Sequence, residues 1–96
     1  MIALVLYELA TNASKYGALS TETGIVTIDW STLDGNLTMR WVETGGPALA
    51  GAPPNAGFGT NLVAKALAYS RGTIAYHWLS AGLAITIVLP QSSIAE

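Results

Sequence analysis

Two stretches of this chain alternate apolar and polar residues, break at a glycine-containing turn, and alternate again. That pattern constrains the fold more than any other feature. Residues 25–31 set Val26, Ile28 and Trp30 against Thr27, Asp29 and Ser31. Asp34-Gly35-Asn36 then turns the chain into a run that points Leu37, Met39 and Trp41 one way and Thr38 and Arg40 the other. The pattern returns at residues 73–79 and 83–90, joined through Ser80-Ala81-Gly82. Period-two alternation on both sides of a tight turn predicts antiparallel hairpins. A sheet with one apolar face needs a cover.

Two helical segments supply the cover. Ile2, Leu6, Leu9 and Ala13 recur at helical spacing in a stretch with no glycine or proline before Gly17, which stops it. In residues 61–70, Leu62, Val63, Ala66, Leu67 and Tyr69 form a second apolar stripe, closed by Arg71-Gly72. Between the second strand and this helix lies a long glycine- and proline-rich connection, residues 44–59, of the kind that is often functional in compact domains. The tail after Pro90 is expected to fray. Helix, hairpin, loop, helix, hairpin amounts to an α/β two-layer plan with helices on one face of the sheet.

Ninety-six residues suffice for a single domain, residues 1–96, with one core. The chain is 51% hydrophobic and only 10% charged, so it folds, and its surface is poor in charge. The 4 basic residues do not cluster and are outnumbered by 6 acidic ones, which argues against nucleic acid or an anionic membrane as partner. No apolar run approaches the roughly 18 residues of a membrane span, so direct membrane contact is not expected. With no cysteine there are no disulfides or thiolate metal sites, in keeping with a cytoplasmic protein.

Three elements offer chemistry. On the first helix Glu8, Asn12 and Lys15 fall within a wedge of about 60°, with Tyr16 at its margin. A carboxylate, an amide and an ammonium so placed can serve acid/base work, a metal and a phosphate, or form an ordinary solvated face. At the end of a strand, Glu43-Thr44-Gly45-Gly46-Pro47 combines an acceptor for a base's amino hydrogen with glycines that let a planar ring approach; it is equally a common turn. Gly57-Phe58-Gly59-Thr60 opens the second helix, where bare amides and the helix dipole favour polyphosphate, unless Thr60 is simply a cap. His77, in a strand and without a partner imidazole, reads as structural, and Trp30, Trp41 and Trp78 read as packing residues.

In this order the three elements closely resemble the HWE histidine kinases, a subgroup of the GHKL ATPases. The carriers are residues 6–19 (LYELATNASKYGAL), 41–47 (WVETGGP) and 57–62 (GFGTNL), and the resemblance spans residues 4–90. It implies a Bergerat-type α/β sandwich with a mixed, mostly antiparallel sheet, binding ATP and Mg²⁺ and transferring the terminal phosphate to a histidine on a separate phosphoacceptor domain. A response regulator would be the downstream partner. By the same resemblance Asn12 would hold Mg²⁺, Lys15 would meet phosphate, Glu8 would polarise the incoming imidazole, and Tyr16 would lie near the nucleotide. Glu43 would take the adenine amino group, where other GHKL proteins use Asp, and Gly45 would admit the base. Gly57, Gly59, Thr60 and Leu62 would form the later glycine box, and the residues between Pro47 and Gly57 a shortened lid.

Two departures stand out. Tyr7 occupies the place of the histidine that helps name the family. The chain also begins within the motif helix, so it is expected to be an N-terminally truncated part of a catalytic domain. The alternative is a non-catalytic pseudokinase or docking scaffold that binds a response regulator.

Overall fold

The computed structural model describes residues 2–47 and 60–93. Helix α1 (Ile2–Tyr16) is built largely from leucine, alanine and other residues that lose little freedom in a helix. It carries Lys15 in its last turn, where a cation meets the negative end of the dipole. The Gly17 N–H donates to the Ala13 carbonyl at 3.0 Å, and a short 3-10 turn, Ala18–Ser20, leads into the sheet.

Strands β1 (Ile25–Leu33) and β2 (Asn36–Thr44) form the first hairpin. Its two-residue turn has positive φ at Asp34 (53°) and Gly35 (80°), the combination that matches the twist of an antiparallel pair. Asn36, expected in the turn, is already the first residue of β2. Strands β3 (Thr73–Leu79) and β4 (Gly82–Pro90) form the second hairpin, and β2 pairs antiparallel with β4. The sheet order is β1-β2-β4-β3. Among the described residues every pairing is antiparallel, so the mixed character expected of the sheet is not seen there.

Helix α2 (Thr60–Tyr69) ends in a Schellman arrangement. The Gly72 N–H reaches the Leu67 carbonyl at 2.6 Å and the Arg71 N–H reaches that of Ala68 at 3.1 Å. The left-handed position falls on Arg71, with φ of 61°, one residue before the glycine.

The helices cover one face of the sheet. Val5, Leu9 and Ala13 of α1 and Val63 and Leu67 of α2 share a core with Met39 and Trp41 of β2 and Ile85, Ile87 and Leu89 of β4. In register, Trp41 faces Ile85 and Met39 faces Ile87, so the two central strands supply the floor of this core. The edge strand differs from expectation. Val26, Ile28 and Trp30 do point to the helix side, opposite Glu43, Trp41 and Met39; Val26 packs against the core, but the other two lie open. Ile28 is 41% exposed and Trp30 66%. Beyond Pro90 the chain forms one more 3-10 turn, Gln91–Ser93, tied back by the Gln91 N–H to the Gly35 carbonyl at 2.9 Å, where fraying was expected.

Candidate functional site

The exit of β2 and the end of α1 are joined by one carboxylate. Glu43 stands two residues after Trp41 on the core face of β2, and on a strand that spacing puts both side chains on the same side. Glu43 is only 6% exposed and Trp41 3%. Oε1 of Glu43 accepts the Ala18 backbone N–H at 3.0 Å, and Oε2 accepts the indole Nε1–H of Trp41 at 2.9 Å. Among the described residues no buried side-chain nitrogen or oxygen is left without a partner. Each oxygen of the carboxylate thus has a donor from the fold itself, as a buried acceptor needs.

The surrounding chain is shaped for this contact. A side chain at Gly17 would collide with Oε1 of Glu43. Gly45 has φ of +74°, and a Cβ there would strike the Thr23 carbonyl. The Gly45 carbonyl accepts both the Thr21 and Thr23 hydroxyls, at 3.1 and 3.0 Å. Gly45 was read from the sequence as admitting a planar base; what the structure gives it is the close passage of two backbone segments. The Trp41-x-Glu43 spacing was the available sign of the indole–carboxylate bond. The Ala18 partner, 25 residues away in sequence, had no local sign.

On α1 the polar wedge flanks the buried stripe. Glu8 and Asn12 are half-buried, Lys15 is exposed, and Tyr16 is exposed at the helix end. Tyr7 lies on the outer side of α1, away from the Val5–Leu9–Ala13 stripe, and is 67% exposed; its carbonyl accepts the Thr11 hydroxyl at 2.8 Å. Tyr7, read from the resemblance as standing in place of a histidine, thus falls on the outer surface of the helix.

The third element is only partly in view. Gly57 and Gly59 lie outside the described residues, as does the segment read as a lid. Thr60 is the first residue of α2, so a helix does begin where the glycine run ends, and α2 packs against α1. The side chains of Thr60 and Leu62 are also outside the described part. His77 is exposed on β3, on the face turned from the helices and opposite Ala84. Of the tryptophans, Trp41 is core, Trp78 is half-buried and stacked on Tyr76 with ring centroids 6.0 Å apart, and Trp30 is largely open to solvent.

No family model matches the chain. It is 45% identical over 91 residues to blue-light-activated histidine kinase 1 of Erythrobacter litoralis, an alignment covering 93% of this chain and 25% of that protein. It is 41% identical over 97 residues to a blue-light-activated histidine kinase of Brucella anthropi, covering 96% of the chain and 20% of the relative. The chain thus spans about a quarter or less of these relatives. In fold it is similar to the histidine kinase domain of an Erythrobacter litoralis blue-light-activated kinase, with a TM-score of 0.74 at 20% identity, over 99% of this chain and 47% of that one. The nucleotide-free catalytic domain of histidine kinase ThkA gives 0.73 at 19% identity, over 94% of this chain and 65% of that one. By sequence the chain is similar to one stretch of the blue-light-activated histidine kinases, and its fold is that of histidine kinase catalytic domains.

Proposed function

We propose that this chain binds ATP with Mg²⁺ and presents the terminal phosphate to a histidine on a separate phosphoacceptor domain, with a response regulator as the next recipient. The observation that carries the reading is the Glu43 junction, which fastens the end of the Glu8–Asn12–Lys15 helix to the strand exit that bears Gly45. Two of the three sequence elements therefore meet in space.

In this reading Lys15 supplies a mobile cation for phosphate and Tyr16 borders the nucleotide. Glu8, half-buried on the same face, takes the proton side of the incoming imidazole. Glu43 and Gly45 receive the base, and Gly57, Gly59, Thr60 and Leu62 wrap the phosphates at the start of α2. Catalysis of this kind consists chiefly of positioning and charge neutralisation. Asn12 offers one neutral amide oxygen, and among the described residues no three His, Cys, Asp or Glu side chains gather into a metal cage. Mg²⁺ commonly takes one or two protein oxygens and completes its shell with phosphate and water. A cytoplasmic location belongs to the same proposal; among the described residues no helix is long and apolar enough to cross a membrane.

Titration with a non-hydrolysable ATP analogue and Mg²⁺ tests the proposal. Saturable binding is expected, weakened about tenfold or more by Asn12→Ala, the loss of a contact worth about 1.4 kcal/mol. Binding that ignores Asn12→Ala would discard the assignment. The docking-scaffold reading draws on Tyr7 at the family histidine position and on the open apolar side of β1. It gains if nucleotide binds, no phosphate reaches a supplied acceptor helix, and a response regulator still binds without nucleotide.

A further inference from the structure

A carboxylate that recognises an amino group must do so from a fixed direction, because a freely rotating acceptor gives up in entropy much of what the hydrogen bond contributes. Glu43 is held at both ends. The Ala18 N–H takes Oε1 and the Trp41 indole N–H takes Oε2, in surroundings where the side chain is 6% exposed. A carboxylate has about four lone-pair sites, so two remain after these bonds, and their directions are set by the two donors. Ala18 belongs to the turn that ends α1 and Trp41 to the middle of the core, so neither donor can move without displacing an element.

We infer that Trp41 is a positioning residue for nucleotide specificity: its indole N–H fixes the Glu43 carboxylate so that its unspent lone pairs select a purine bearing an exocyclic 6-amino group. The inference rests on the proposed nucleotide site and goes beyond it by assigning a role to a residue that is buried in the core. The tryptophan ring packs the core, but packing alone does not call for its nitrogen. Among the described residues its hydrogen bond goes to Glu43.

The test compares ATP with purine riboside triphosphate, which lacks the 6-amino group, in wild type, Trp41→Phe and Glu43→Gln. Phenylalanine keeps an aromatic ring in the core and deletes the donor. Glutamine keeps the shape of Glu43 but turns an N–H₂ towards one of the two donors. Far-UV circular dichroism confirms which variants are folded. Wild type is expected to prefer ATP by about tenfold or more, in line with sites built to hydrogen-bond one substrate group. In Trp41→Phe that ratio should fall to within about twofold of unity while affinity for the analogue holds, and Glu43→Gln should repeat the effect. If Trp41→Phe weakens both nucleotides equally, the indole is merely structural and the inference falls. Should wild type bind both nucleotides alike, Glu43 does not select the base, and the inference falls while nucleotide binding stands. Binding of neither removes both. If Trp41→Phe does not fold, the ratio in Glu43→Gln decides, an unchanged preference for ATP overturning the inference.

Discussion

Glu43 illustrates what a single buried charge demands of its surroundings. Taking a carboxylate out of water costs several kcal/mol unless donors replace the lost hydration, and here a backbone N–H and an indole N–H do so. The reward is a joint between residues far apart in sequence. At the end of α2 a different residue carries a cost. Arg71 occupies the left-handed region with φ of 61°, where a side chain is disfavoured by roughly 1–2 kcal/mol. Glycine there relieves the strain but loses about 0.4–1 kcal/mol through the greater freedom of the unfolded chain. Arg71→Gly is therefore expected to stabilise the fold by about 0.5 kcal/mol, seen as a rise of roughly 2–4 °C in Tm. A fall in Tm would show that the Arg71 side chain contributes more than its backbone strain costs.

At the scale of elements, β1 and β2 carry the same alternating code and end in different environments. Trp41 belongs to the core shared with both helices and Trp30 is largely exposed, although both point to the same side of the sheet. Periodicity reports which face a residue takes, and the breadth of the covering layer decides whether that face is buried. With Trp30 66% exposed, Trp30→Thr should change unfolding free energy by less than about 0.5 kcal/mol in urea, threonine being equally at home in a strand. A loss above about 2 kcal/mol would mean that Trp30 is covered in solution.

For the molecule as a whole, one titration follows from the packing of the second hairpin. Tyr76 lies half-buried beside Trp78, and burial raises its pKa above the ordinary 10.0 by penalising the phenolate. A raised folded-state pKa gives stability that is complete below the unfolded value and declines as pH climbs from there through the folded value. Tyr76→Phe should therefore match wild type in pH dependence up to about pH 9.5 and lose less stability than wild type above pH 10, as measured by guanidinium unfolding across that range. Identical alkaline slopes would show that the phenol is solvated.

Residues near one another in sequence set most of the architecture. The two helices, the four strands, both hairpin turns and the glycine stop after α1 depend on local periodicity and turn chemistry, so a chain read residue by residue discloses them. The three ordered elements disclosed the histidine kinase likeness in the same way. What only the tertiary structure decided involves distances the chain does not encode locally: that Glu43 is gripped by Ala18 and Trp41, that Gly45 has Thr23 pressed against it, and that Trp30 escapes the helical layer. Hydrogen-bond partners and burial are set by which segments are neighbours in space, and local pattern determines only which side of an element each residue takes.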